Sequence, residues 1–431
     1  MKSLQSKATR IYSHMMHDSM RRNSSLLILS QAVLAGGLFL FYIICAHLFP
    51  TSTVGYATSF ISFGLLVATF TNLGLPNTNI RFLPTSKRKG GLFVAALLLI
   101  IISSIIGGLI ALSILAHWDT SLSFITSSVF LSITLVALIS GTAVSALLDS
   151  TLMAYRRGEF VLAKAVIITL PRIVLPFFVV AAGTKGITGV YVVTLLLGLL
   201  FNVYIIFRKL LKTESLKPHI GEVAAHKAYA SSNYFGGMFG VLPSTLVPII
   251  ILSRLGPTDA AYFYMPAQIA AFLSVVCNSV SQALMSEASQ TDDINQHRQA
   301  FKKAFRHQYQ ILGLLVVILI VFGWLILRLF GAAYAANGYV PLVILSLSSL
   351  VVGVNWLGDT WLNINKRSRD YFLMNAFNSL AVIILVYVFA EHGLVPATIG
   401  WLLGQLLSAG VYILIFARGQ LLSFASSFRI S

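Results

Sequence analysis

The chain is 431 residues long, 57% hydrophobic and 10% charged, with 30 Lys and Arg against 13 Asp and Glu and a net charge of +17. Soluble domains carry about 25% charged residues, so there is too little polar surface here to cover a water-soluble globule, and that class is excluded. In a soluble protein such a charge would suit nucleic acid, but 25 of the 30 cations fall in alternate loops and at the two ends, the pattern of loops retained in the cytoplasm beside anionic headgroups, and no nucleic-acid partner is expected.

Residues 1–24 carry Lys2, Lys7, Arg10, Arg21 and Arg22 with Ile11, Met15, Met16 and Met20 interspersed. They read as a basic cytoplasmic segment on the membrane surface, since the apolar run that follows is too long for a secretory signal core of about 7–15 residues and no small-residue cleavage pattern follows it. Twelve stretches of membrane length then succeed one another, near 25–48, 52–74, 91–116, 122–148, 161–182, 188–207, 229–252, 260–286, 308–330, 339–362, 371–390 and 395–416. The expected organisation is a first six-helix bundle over 25–207, a cytoplasmic linker over 208–228, a second six-helix bundle over 229–416 and a cytoplasmic tail over 417–431. The fold class is therefore an all-α polytopic membrane protein with twelve transmembrane helices in two pseudo-symmetric bundles, both termini cytoplasmic, multi-pass in the plasma (inner) membrane. External loops such as His117–Ser121 and Glu391–Leu394 are short, and no segment is long enough for a folded soluble domain.

The chain also repeats itself. A shift of 206 residues lays Gly55-Tyr56-Ala57 on Ala261-Tyr262-Phe263, and places Arg81 opposite Glu287. Six spans per half give both halves the same orientation, and duplicated transporters hold their sites at the interface between repeats, marked by paired interruptions in corresponding helices. Gly36 and Gly37 interrupt span one, and Gly37 falls opposite Pro243 of span seven, which also holds Gly236, Gly237, Gly240 and Pro248. Gly36, Gly37 and Pro243 are thus candidate hinges, because proline removes an intrahelical bond. Close helix packing is the other reading, and it is favoured for the Gly400 and Gly404 pair.

Arg172 lies near the middle of span five, where insertion costs about 2.5–3.5 kcal/mol. Pro171 and Pro176 each remove a backbone bond around it. A bent helix opening on a hydrated cavity would accommodate all three, as would pairing with carbonyls or a carboxylate that ties two helices together. Lys164, eight residues earlier and about 80° around the helix, either looks into the same space or extends its stem toward the headgroups. The acidic residues fall in loops or near span ends, the deepest being Asp359 between Trp356 and Trp361; an interfacial role flanked by aromatic residues is one reading of it. An interior with cations and no mid-membrane anion suits an anionic ligand.

Uncharged polar residues in the spans are mostly interhelical bonds; Asn233 and Tyr234, beside the broken part of span seven, are retained as candidates for substrate binding. No phosphate-cradling glycine loop, H-E-x-x-H motif, Cys or His cluster with metal spacing, or carboxylate pair is present, so no catalytic residue, metal or cofactor is expected and the chain reads as no enzyme. Cys45 and Cys277 lie in apolar spans as small hydrophobes.

The stretch V-G-Y-A-T-S-F through L-G-L-P-N-T-N-I-R-F (54–82), with A-A-Y-F-Y-M-P-A-Q-I-A-A-F (260–272) running to S-E-A-S (286–289), resembles the polysaccharide transporter branch of the multidrug/oligosaccharidyl-lipid/polysaccharide exporter superfamily. The resemblance implies two six-helix bundles in a V around a central cavity, and flipping of polyprenyl-pyrophosphate-linked glycan precursors of O-antigen, capsule or related polymers. It implies a cationic lumen that binds pyrophosphate or acidic sugars, a role that would fall to Arg172, Lys164 and Arg81. The usual Pro-Glu after span eight stands here as Ser286-Glu287, and the two extra C-terminal helices of peptidoglycan-precursor flippases are missing.

These readings together expect a monomeric flippase working by alternating access, with membrane lipids around it and a polysaccharide polymerase or glycosyltransferases as partners. A cation-coupled drug exporter of the same superfamily is the first rival; it requires an acidic residue within the bundle. A membrane glycosyltransferase or glycan polymerase is the second, and it requires a large external loop.

Overall fold

The computed structural model describes residues 19–117, 121–288, 294–365 and 367–427, and the chain there is helical almost throughout. Among the described residues, twelve helices are long and apolar enough to cross a membrane. The first half contributes α1 (Ser19–Leu48), α2 (Thr51–Thr71), a short α3 (Leu75–Phe82), α4 (Lys89–His117), α5 (Val129–Ala154), α6 (Gly158–Val174), α7 (Thr184–Ile205) and a short α8 (Ile220–Ala225). The second half contributes α9 (Lys227–Leu255), α10 (Pro257–Ala288), α11 (Ile294–Arg328), α12 (Ala332–Ile364), α13 (Ser368–Phe389) and α14 (Leu394–Ser427). Corresponding helices begin at Thr51 and Pro257, Lys89 and Ile294, Val129 and Ala332, Gly158 and Ser368, and Thr184 and Leu394, always 203–210 residues apart. The duplication seen in the residues thus runs through the order of helices.

Two compact units form. One comprises residues 1–49 and 63–234, the other residues 50–62 and 235–431. The boundary differs from a cut at the linker in two ways, and both have local causes. Residues 50–62, which open α2, join the second unit; Gly55 lies so close to the Pro257 carbonyl that a Cβ there would collide with it. The stretch 208–226 belongs to the first unit rather than standing apart. Gly90 and Gly91 let the backbone at Ser215 and Lys217 approach α4, His219 N–H donates to the Gly91 carbonyl at 3.1 Å, and Ser86 donates to Glu222 at 2.6 Å. Phe82 stacks on the His226 ring at 3.7 Å.

Helix ends follow side-chain chemistry. The helix expected over 122–148 begins only at Val129, because the Ser and Thr hydroxyls before it bond the local backbone: Thr126 donates to the Ser123 carbonyl at 2.9 Å and Ser127 to that of Phe124 at 2.8 Å. Such bonds compete with a helical ladder. The same helix then runs on to Ala154, six residues beyond its expected end. The motif at 72–82 is a turn followed by α3: the Gly74 N–H donates to Asn72 Oδ1 at 3.0 Å, Gly74 takes a left-handed φ of 68°, and Pro76 stands in the first turn. Glycine adopts that φ without strain and proline needs no partner at that point. Asn79 of the motif then donates to Thr151 at 2.6 Å and Ser150 at 3.2 Å, locking α3 onto α5.

Candidate functional site

In the first unit, α6 positions two buried cations. It ends at Val174 because Pro176 cannot donate to the Arg172 carbonyl, and a 3-10 turn over Leu175–Phe178 follows. Arg172 is therefore in the last helical turn rather than at mid-span, where the negative end of the helix dipole favours a cation. Its side chain is buried, with 7% of its surface exposed. Nε donates to Thr194 Oγ1 at 3.0 Å, one terminal nitrogen lies 3.4 Å from the Tyr191 carbonyl oxygen, and the guanidinium sits 4.2 Å from the Tyr191 ring centroid. Hydroxyl, carbonyl and ring face, all from α7, thus share the solvation of this charge. Of the two arrangements open for Arg172, these contacts are those of the helix-tying one.

Lys164, two turns earlier, is 4% exposed. Its Nζ donates to Asp149 Oδ2 at 2.6 Å and to Ser145 Oγ at 2.7 Å, both on α5. Asn202 of α7 donates to the other Asp149 oxygen at 2.8 Å. The stem fits because Gly198 has no side chain; a Cβ there would stand 3.2 Å from Lys164 Cγ. Of the two arrangements open for Lys164, extension to the headgroups is not the one seen. Asp149, in the last two turns of α5, is an acidic residue near a span end, as expected, and it supplies the anion that Lys164 meets.

Arg81 is exposed on α3 and lies 5.4 Å from the Phe82 ring centroid. Next to it a cavity of about 490 Å³ is lined by Phe82, Thr85, Ser86, Lys87, Arg88, His219, Glu222 and His226. The Tyr234 hydroxyl donates to the Phe70 carbonyl at 2.8 Å, joining the start of α9 to the end of α2. The side chain of Asn233 lies outside the described residues. Gly37 packs against the side chain of Thr169, whereas Gly36 has open space around it. Arg172 and Lys164 share α6, but α7 holds the first through Thr194 and Tyr191 while α5 holds the second through Ser145 and Asp149; Arg81 and Tyr234 stand on other helices, α3 and α9.

The second unit contains a cavity of about 660 Å³. Gly237, Gly240 and Pro243 of α9 line it; a Cβ at Gly237 would meet open space, and one at Gly240 would lie 4.0 Å from Asn375 Oδ1 with nothing nearer. The interruptions of span seven therefore widen a cavity, while Gly400 and Gly404 press on the backbone of α13 at Leu385 and Val382. Gln268, Gln282, Asn355, Asn363, Asn375, Asn378 and Gln405 supply amides to the wall, and Phe263, Tyr264, Trp356, Tyr371 and Trp401 supply aromatic faces. Asp359 is the one charged side chain in this lining among the described residues. Its Oδ1 accepts from Asn375 at 2.9 Å and from the Tyr412 hydroxyl. Asn355 donates to Gln405 Oε1 at 2.8 Å. Ser281 Oγ, Ser348 Oγ, Asn355 Oδ1 and Asn378 Oδ1 are buried along the same wall with no hydrogen-bond partner. Unpaired buried polar atoms are costly and native interiors keep few of them. Sequence reasoning assigned these amides to interhelical bonding and Asp359 to the interface; only their convergence from α10, α12, α13 and α14 makes a site, and no spacing within one helix signals it.

No family model matches the chain, and no curated protein matches it by sequence. Its fold is that of MATE transporters of the MOP superfamily. A multidrug resistance MATE family transporter in an inward-facing conformation gives a TM-score of 0.72 at 14% identity, over 93% of this chain and 99% of that one. An outward-facing multidrug resistance MATE transporter gives 0.65 at 14% identity over 94% and 96%. A MOP superfamily transporter from Pyrococcus furiosus, described as having a binding pocket of reverse polarity that suggests a different function, gives 0.58 at 14% identity over 93% and 95%.

Proposed function

We propose that this chain is a transporter, not an enzyme, of the plasma membrane, and that it moves a lipid-linked oligosaccharide across the bilayer by alternating access. The observation that carries this reading is the cavity of the second unit. Amide side chains both donate and accept, as sugar hydroxyls require, and the indole and phenol faces offer apolar area with a polar edge. Four buried polar atoms on that wall are without partners, and a hydroxyl-rich solute supplies partners of the right kind. A membrane transporter fold and the sequence motifs of 54–82 and 260–289 support the same class. The polyprenyl chain stays in lipid, and Arg172 is the cation retained for a pyrophosphate or acidic sugar; Lys164 is not, because Asp149 already holds it.

The test is reconstitution in vesicles with a fluorescent polyprenyl-pyrophosphate oligosaccharide on one leaflet, reading its arrival on the other by a membrane-impermeant lectin. Asn355→Ala with Gln405→Ala is expected to slow arrival at least tenfold, and loss of one bidentate amide pair would account for about that factor. Parent-rate movement by the double variant would remove the cavity from the account.

Asp359 favours a second reading, a cation-coupled exporter, since a lone carboxylate in such a cavity attracts an organic cation, Na⁺ or a proton. Efflux of a cationic dye from the same vesicles, driven by an imposed sodium or proton gradient and abolished in Asp359→Asn, would establish that reading over the first.

A further inference from the structure

The Lys164 cluster performs no step in the function proposed above. Its parts are one ammonium and one carboxylate, joined by Ser145 from α5 and Asn202 from α7. The helix packed along the rest of α6 is α1, which carries no charged side chain between Ser25 and Ala46. The cluster is thus electrically neutral within itself. Asn202 Oδ1 is buried with no hydrogen-bond partner. Two kinds of oxygen thus bond the amine, carboxylate and hydroxyl, and the amide whose nitrogen binds Asp149 keeps a buried, unpartnered carbonyl oxygen. Carboxylate and carbonyl oxygens are the ligands that hard metal cations select. Asp149 keeps 27% of its side chain exposed while Lys164 keeps 6%, so the cluster has an opening on the carboxylate side.

We propose that the Lys164 ammonium is a tethered cation occupying what is otherwise a monovalent metal-ion site in the first unit. A built-in amine is bound at every concentration of salt, so this unit holds its α5–α6–α7 arrangement without sodium. Removing the amine while keeping the stem leaves the Asp149 carboxylate and the Ser145 hydroxyl without their cation, with a negative charge that partial burial makes costly. An ion then enters, and stability becomes linked to its concentration.

The test compares purified full-length proteins by thermal unfolding in NaCl and in choline chloride at equal ionic strength. The wild type and Lys164→Arg are expected to unfold at the same temperature in both salts. Lys164→Met is expected to gain about 2–4 °C in NaCl at roughly tenfold the dissociation constant of the ion. Adding Asp149→Asn to Lys164→Met removes that gain. Four results overturn the proposal: no sodium-specific gain in Lys164→Met, a gain that survives Asp149→Asn, a gain of equal size in the wild type, or restoration of Lys164→Met by acid alone, which would mean that Asp149 needs only a proton. A Lys164→Met protein that cannot be obtained folded in sodium salt also overturns it, because the ion then fails to replace the amine. None of these measurements involves transport, so they stand whichever substrate the second unit takes.

Discussion

Each unit places one carboxylate among helices, and the two are solvated in opposite ways. Asp149 in the first unit meets an ammonium at 2.6 Å, with an amide on its second oxygen. Asp359 in the second unit meets only neutral donors, Asn375 and Tyr412, and faces a cavity. A carboxylate with an internal counter-ion is a structural tie between helices. A carboxylate met only by neutral donors has no internal counter-ion and is left to pair with whatever enters. The difference points to a division of labour in which the Asp149 cluster of the first unit is electrically closed and the Asp359 cavity of the second is open to solutes.

Neutralising each carboxylate breaks or sharpens that contrast. Asp149→Asn strands Lys164, and breaking a buried pair from one side costs about 3–5 kcal/mol; the exposed flank of Asp149 puts the expectation at the lower end. The loss is read as a fall in unfolding temperature, and Asp149→Asn with Lys164→Met should recover most of it in either salt, since no charge is then stranded. Arg172→Ala removes the bond to Thr194 and the stacking on Tyr191, for an expected loss of about 2 kcal/mol in the same assay. Tyr412→Phe deletes one hydrogen bond to Asp359 while its ring still packs on Gly358, so about 1.5 kcal/mol is expected. Asp359→Asn keeps an oxygen to accept from both donors and should change stability by under about 1 kcal/mol, with its effect appearing in dye efflux instead. Equal thermal losses for Asp149→Asn and Asp359→Asn would end the contrast.

Much of the scaffold was legible along the chain. Eleven of the twelve spans start within about two turns of their helices, the exception being the ninth, whose helix α11 begins at Ile294, well ahead of the apolar stretch. The fourth was displaced because hydropathy does not register hydroxyls that bond backbone before Val129. That displacement hid Asp149: additional helix turned a residue just past the expected span end into a half-buried partner for Lys164. Pro171 and Pro176 correctly announced a disruption at Arg172, but the backbone there ends its α-helix, so that the guanidinium is bound by Thr194 and Tyr191. The broken span seven was open between packing and a site, and its glycines proved to border a cavity.

Composition, the spacing of apolar runs and the sidedness of cations determine by themselves that this is a duplicated twelve-helix membrane protein, because burial in lipid imposes length and polarity on every segment independently of its neighbours. Which buried charge is satisfied was decided only by tertiary structure. Lys164 and Asp149 are 15 residues apart on different helices, and the amides around Asp359 come from four. Electrostatic partnership depends on distance in space and on the dielectric around it, and neither is written along a single helix.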